Sequence, residues 1–206
     1  MIRHTFALPA LAACLWISAS PAADTPPLCA NAEQAAKVRE FYAAPAAAAP
    51  FQAAPKIGLP EAVVLSALPA DKAVGTPGSA FVEVWKSLQE WDRALTLVLK
   101  GGHVFEIFGK VQPGAPSKTS QYYNIEYPAA GLGGHLRPDL IAAIYVVSLQ
   151  TREGPLRGVS FVDAKGDNAF NVFLLENQKP TAAEVAQFAR TRALVAGLPR
   201  VCPPLP

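Results

Sequence analysis

The stretch ALTLVLKGGHVFEIFGKV, residues 94–111, decides how the rest of the chain reads. From Ala94 to Lys100 the side chains alternate, with Leu95, Leu97 and Leu99 on one side, the period of a half-buried strand. Gly101-Gly102 makes a two-residue hairpin turn, since the favoured turns here need positive φ. His103 to Val111 then runs back. A second hairpin is expected from Val159 to Asp163 and Ala169 to Glu176, around Lys165-Gly166-Asp167. Gln121 to Tyr127 and Leu140 to Leu149 read as two more strands. The total is about six strands, and strands joined by short turns pair antiparallel.

Helices flank this block. Asn31 to Ala43 has Asn31 as its cap and Gln34 in the capping-box position. A short helix starts near Leu59, with Pro60 at a first helical position and Val63, Val64 and Leu68 inward, and Pro69 ends it. Ser79 can cap another that runs to about Trp91, with Phe81, Trp85 and Leu88 on one face. Ala182 to Ala196 carries a Thr181/Glu184 capping box and stops at Gly197. Helices, then strands, then a helix define the α+β class. Residues 44–58 are rich in Ala and Pro, and this composition predicts an extended, semi-stiff linker.

The N-terminus predicts export. Arg3 supplies a charge, Phe6 to Ala19 an apolar run, and Ser20-Pro21-Ala22 a small-residue exit, the order of a cleavable signal peptide over residues 1–22. The run is short of the roughly 20 apolar residues that span a bilayer, so no transmembrane segment is expected in the mature chain. The alternative is a lipoprotein box, Leu11-Ala12-Ala13-Cys14, with the chain anchored through Cys14. Cleavage leaves Cys29 and Cys202 as an even pair, expected to close as a disulfide in the periplasm or outside the cell. The expected mature layout is a helical segment over 23–43, the linker, a domain over 59–197 and a Pro-rich tail over 198–206.

Eighteen Lys and Arg stand against sixteen Asp and Glu, a net charge of +2, without the clustered basic surface that nucleic-acid binding needs. The chain has no Gly-x-Ser-x-Gly elbow, His-Glu-x-x-His helix or Cys-x-x-Cys-His haem-attachment motif. No enzyme is expected. Once the signal is removed, His103 and His135 are the only histidines, and the single methionine, Met1, is gone. His103 follows a turn and reads as an exposed strand-start residue. His135 lies in the glycine-rich stretch 131–138 beside Arg137. Its imidazole can ligate iron and Arg137 can pair with a carboxylate; a lone loop histidine can equally be structural or solvated.

The order of these pieces from about Leu59 to Val195, roughly two thirds of the chain, resembles the ChuX/HutX family of haem-utilisation carriers. The resemblance rests on Leu68-Pro69, on Trp85 and Trp91 flanking Glu90, and on Glu106 and Gly109. It continues through Tyr123-Asn124-Ile125, Gly134-His135-Leu136, and Phe161, Gly166 and Phe170 to Phe173. It implies a curved antiparallel sheet flanked by helices, a homodimer, and non-covalent binding of haem b. By position His135 would be the axial ligand to haem iron. From their own chemistry, Arg137 would then lie near a propionate, and Tyr123 or Tyr127 are the fallback ligands, since tyrosinate also binds ferric haem. A second family histidine aligns with Leu99, and the family's Pro-x-Gly becomes Gln112-Pro113-Gly114. The function implied is an exported haem carrier. The alternative is a haem-free relative, a dimeric partner-binding or structural module.

Overall fold

A computed structural model describes residues 28–44, 47–127 and 131–203. The signal segment and Cys14 lie outside the described residues. Three helices come first: α1 (Ala32–Ala43), α2 (Pro50–Ile57) and α3 (Glu61–Ala67). Then follow β1 (Ala73–Pro77), a 3-10 turn and α4 (Phe81–Leu88). The central run is β2 (Ala94–Lys100), β3 (His103–Gly109), β4 (Gly114–Pro116), β5 (Tyr123–Ile125) and β6 (Gly134–Leu136). The chain closes with β7 (Ile141–Thr151), β8 (Gly154–Asp163), β9 (Asn168–Phe173) and α5 (Ala182–Gly197).

Six strands form one antiparallel sheet in the order β1-β7-β8-β9-β2-β3, and β4-β5-β6 form a second, smaller one. The chain is therefore α+β with an open sheet. The 94–109 hairpin pairs Ala94 with Gly109 and Lys100 with His103, and Gly101 and Gly102 take φ of 57° and 82°. Strand alternation gives the large sheet two apolar faces. On one, Ile144, Val146, Phe161 and Phe170 meet Trp85, Trp91, Phe188, Tyr123 and Ile125. On the other, Tyr145, Val147, Leu149 and Leu97 lie under Val38, Ala54, Ala62 and Leu65 of the first three helices. The buried indoles are satisfied: Trp85 Nε1 donates to the Gln112 carbonyl at 3.1 Å and Trp91 Nε1 to Thr191 Oγ1 at 3.0 Å.

Both expected capping boxes are present, Asn31 with Gln34 and Thr181 with Glu184. Ser79 makes no cap: it sits in the 3-10 turn, and Ala80 precedes α4. The extended linker over 44–58 is corrected, because residues 50–57 are helical and packed. Pro50 occupies the start of α2, where its missing N–H leaves nothing unsatisfied. Ala53 and Ala54 are buried, Phe51 lies 6.2 Å from the Phe173 ring, and Gly58 closes the helix at φ 71°. Alanine carries no visible amphipathic pattern, so only the partner surface reveals that this segment docks. Strands β1, β4 and β6 lie where the sequence predicts none, and β8 begins at Gly154, five residues before the expected Val159.

Cys29 and Cys202 are joined in a disulfide with a Cα–Cα separation of 5.6 Å, tying the start of the first helical layer to the tail. No helix among the described residues is long and apolar enough to cross a membrane.

Candidate functional site

The small sheet is where the candidate residues meet. Its inward side chains, Tyr123, Ile125 and Leu136, join the core beneath α4. Alternation then sends Asn124 and His135 outward, directly opposite each other across β5 and β6. His135 therefore sits on a strand and not in a loop. The neighbouring glycines serve the chain path. A Cβ on Gly133 would come within 3.0 Å of the Tyr127 backbone, and Gly134 has φ 138°, which disfavours other residues.

The imidazole is held on both nitrogens. Its Nδ1 lies 2.8 Å from Asn124 Oδ1 and its Nε2 3.3 Å from the Tyr127 hydroxyl. An amide oxygen only accepts, so Nδ1 donates to it, and in the neutral ring Nε2 then keeps the lone pair and faces the Tyr127 hydroxyl. The Tyr122 and Tyr127 rings flank it at 5.7 and 6.2 Å. His135, Tyr122 and Tyr127 are all exposed.

Arg137 is already engaged. Its Nε donates to Asp139 Oδ1 at 2.8 Å and its Nη2 to Oδ2 at 2.6 Å, and the guanidinium lies 5.8 Å from the centre of the Tyr122 ring. This fork holds the Asp139 carboxyl below its ordinary range. A carboxylate ligand would have to compete with Asp139 or use the remaining donors.

Tyr123 is corrected as a ligand candidate. Its side chain is buried, its ring stands edge-on to Phe81 at 5.4 Å, and its hydroxyl donates to the Gly114 carbonyl at 2.7 Å. Burial pushes the hydroxyl pKa up, which opposes the tyrosinate form that iron takes. His103 lies on the edge of the other sheet and is exposed. Leu99 packs into the core under α1–α3, on the face of the large sheet away from His135. Among the described residues no group of three or more His, Cys, Asp or Glu could hold a metal ion. Sequence reasoning does not single out Asn124, Tyr122 and Asp139. Alternation in Tyr122-Tyr123-Asn124 is the available signal for the first two, and the Arg-x-Asp spacing for the third.

These residues suit a haem-like group. One exposed imidazole offers a lone pair, two aromatic rings border it, and a guanidinium stands two residues along. The fold is α+β, and its candidate site is borne on the small sheet and centred on one histidine. The description "Haem utilisation ChuX/HutX" belongs to the family whose sequence pattern matches residues 74–191, and this chain is a member of that family.

The intracellular heme transport protein HutX of Vibrio cholerae is 27% identical over 130 residues, 63% of this chain and 66% of HutX. The match thus spans just under two thirds of that relative. The structure of the heme binding protein ChuX superposes with a TM-score of 0.67 at 19% identity, covering 77% of this chain and 98% of ChuX. ChuS, an E. coli heme oxygenase, gives a TM-score of 0.62 at 20% identity, covering 81% of this chain and 50% of ChuS. At these identities the two structures speak for the fold alone.

Proposed function

We propose that this protein is an exported carrier that binds haem b non-covalently, with His135 Nε2 as the axial ligand. The observation that carries the reading is the outward imidazole of His135, whose lone-pair nitrogen meets only an exposed hydroxyl. HutX is named for heme transport and ChuX for heme binding. Tyr122 and Tyr127 would border the ring, and Arg137 would reach a propionate once shared with Asp139. Iron-centred chemistry would be the cofactor's. The chain itself supplies one ligand and a border, which suits carriage better than turnover, and a shared fold with a heme oxygenase transfers no activity.

Export is read from the order of charge, apolar run and Ser20-Pro21-Ala22, and a disulfide suits an oxidising compartment. HutX is named as intracellular, so this chain would act in a different compartment. Intact mass of the protein from its own host tests this. A chain beginning near Ala23 is expected, and an unprocessed chain or a lipidated Cys14 would overturn it.

A homodimer is part of the same proposal. Among the described residues β3 pairs only with β2, and it exposes Val104, Phe105 and Phe108 on this sheet edge, a surface that invites a second strand. Haemin titration tests the haem reading directly. The wild type is expected to shift the Soret band and His135→Ala to bind more weakly. No shift in either protein would remove haem, and identical curves would remove His135.

A further inference from the structure

We propose that Asn124 is a positioning residue that sets His135 as an Nε2 donor, and that Tyr127 caps this nitrogen until a metal centre displaces it. The inference rests on the haem reading of the same site for its ligand, but its first half concerns the protein alone. Which imidazole nitrogen keeps the lone pair is decided by the partner of the other one. Here that partner is a cross-strand neighbour: the register Asn124↔His135 puts the two side chains on one face, and Oδ1 meets Nδ1 at 2.8 Å. Both residues lie on strands whose alternate positions, Tyr123, Ile125 and Leu136, are anchored in the core, so the pair cannot slip without unpacking the small sheet.

Tyr127 differs. It belongs to no strand, is 76% exposed, and reaches Nε2 at 3.3 Å, long for an O–H donor. Such a contact is easily exchanged. The site thus has a fixed half and a replaceable half: Asn124 orients the ligand nitrogen, and Tyr127 occupies it in the empty protein. This arrangement keeps a lone imidazole from sampling the wrong tautomer, and it makes Tyr127 a competitor for the iron and not its ligand.

The tautomer is read without haem, from two-bond proton–nitrogen correlation spectra of 15N-histidine-labelled protein at pH 8. The wild type is expected to hold its proton on Nδ1. Asn124→Ala should move it largely to Nε2, and Asn124→Asp, which restores an acceptor, should return it. A wild type protonated on Nε2, or an Asn124→Ala spectrum identical to wild type, overturns the role of Asn124. Haemin titration reads the second half. Tyr127→Phe is expected to bind about fivefold more tightly, the size of one lost neutral hydrogen bond. Unchanged or weaker binding overturns the cap, weaker binding marking Tyr127 as a ligand. An absent Soret shift in wild type and in Tyr127→Phe would defeat the haem reading and the cap with it, and would leave the tautomer result to decide Asn124.

Discussion

Leu99 and His135, the two positions where the family resemblance places iron ligands, lie on opposite faces of the six-stranded sheet. Leu99 packs with Leu97 under the first three helices, whereas the strand bearing His135 belongs to the layer against Trp85 and Tyr123. Within one chain the two side chains therefore do not face a common ring.

Restoring the missing histidine tests this. Leu99→His is expected to leave the haemin spectrum of the wild type unchanged, read in the Soret and visible bands. A new low-spin, bis-imidazole spectrum would show that the two faces meet between copies.

Arg137 and Asp139 predict a second effect. Asp139→Asn removes the carboxylate that occupies two guanidinium donors. Haemin affinity is expected to rise by about threefold to tenfold at low salt, with the gain shrinking as ionic strength rises. Equal affinity at all salt concentrations would mean that no propionate reaches Arg137.

The open edge predicts the oligomer. Phe105 is 53% exposed on β3, so Phe105→Glu should leave the fold intact while placing like charges across a two-fold contact. Light scattering at micromolar concentration is expected to give a dimer for wild type and a monomer for the variant. A wild-type monomer would refute the dimer.

Glu61 predicts a pH dependence of stability. It is 3% exposed, and among the described residues neither carboxylate oxygen has a partner at hydrogen-bond geometry, although Ser160 and Asn168 are near. Burial chiefly pushes its pKa from 4.5 up to about 7. The folded state then holds a proton that the unfolded chain has released, so stability falls as pH rises from 4.5 to 7 and stays low above that. Glu61→Gln should stabilise the protein at pH 8 by on the order of 3 kcal/mol, with the gain vanishing near pH 4.5. Denaturant melts at the two pH values decide it, and a gain independent of pH would show that Glu61 does not titrate there.

The disulfide predicts a large stability loss on reduction. Cys29 and Cys202 are 173 residues apart, and closing a loop of that length stabilises by about 5 kcal/mol in the chain-entropy model. Denaturant melts with and without reductant measure it. Equal midpoints would mean that the ends are held without the bond.

Features set by neighbours along the chain are legible in the amino-acid sequence alone, because local signals carry them. Alternating Leu95, Leu97 and Leu99 ahead of Gly101-Gly102 specify a hairpin, and Asn31 with Gln34 and Thr181 with Glu184 specify helix starts. These need only residues a few positions away. The pairing of Cys29 with Cys202 is legible from the even count that the expected signal cleavage leaves. Pairing between distant segments decides the rest. Helix α2 is hidden in an alanine and proline run until Phe173 and α3 offer it a surface. Tyr123 and Tyr127 read alike as phenols, and strand alternation alone would put both on one face, yet β5 ends at Ile125, so Tyr123 is buried against Phe81 while Tyr127 lies beyond the strand, exposed beside His135. Side-chain direction on a strand alternates with every residue, so a one-residue difference in register exchanges core for site, and only the assembled sheets set that register.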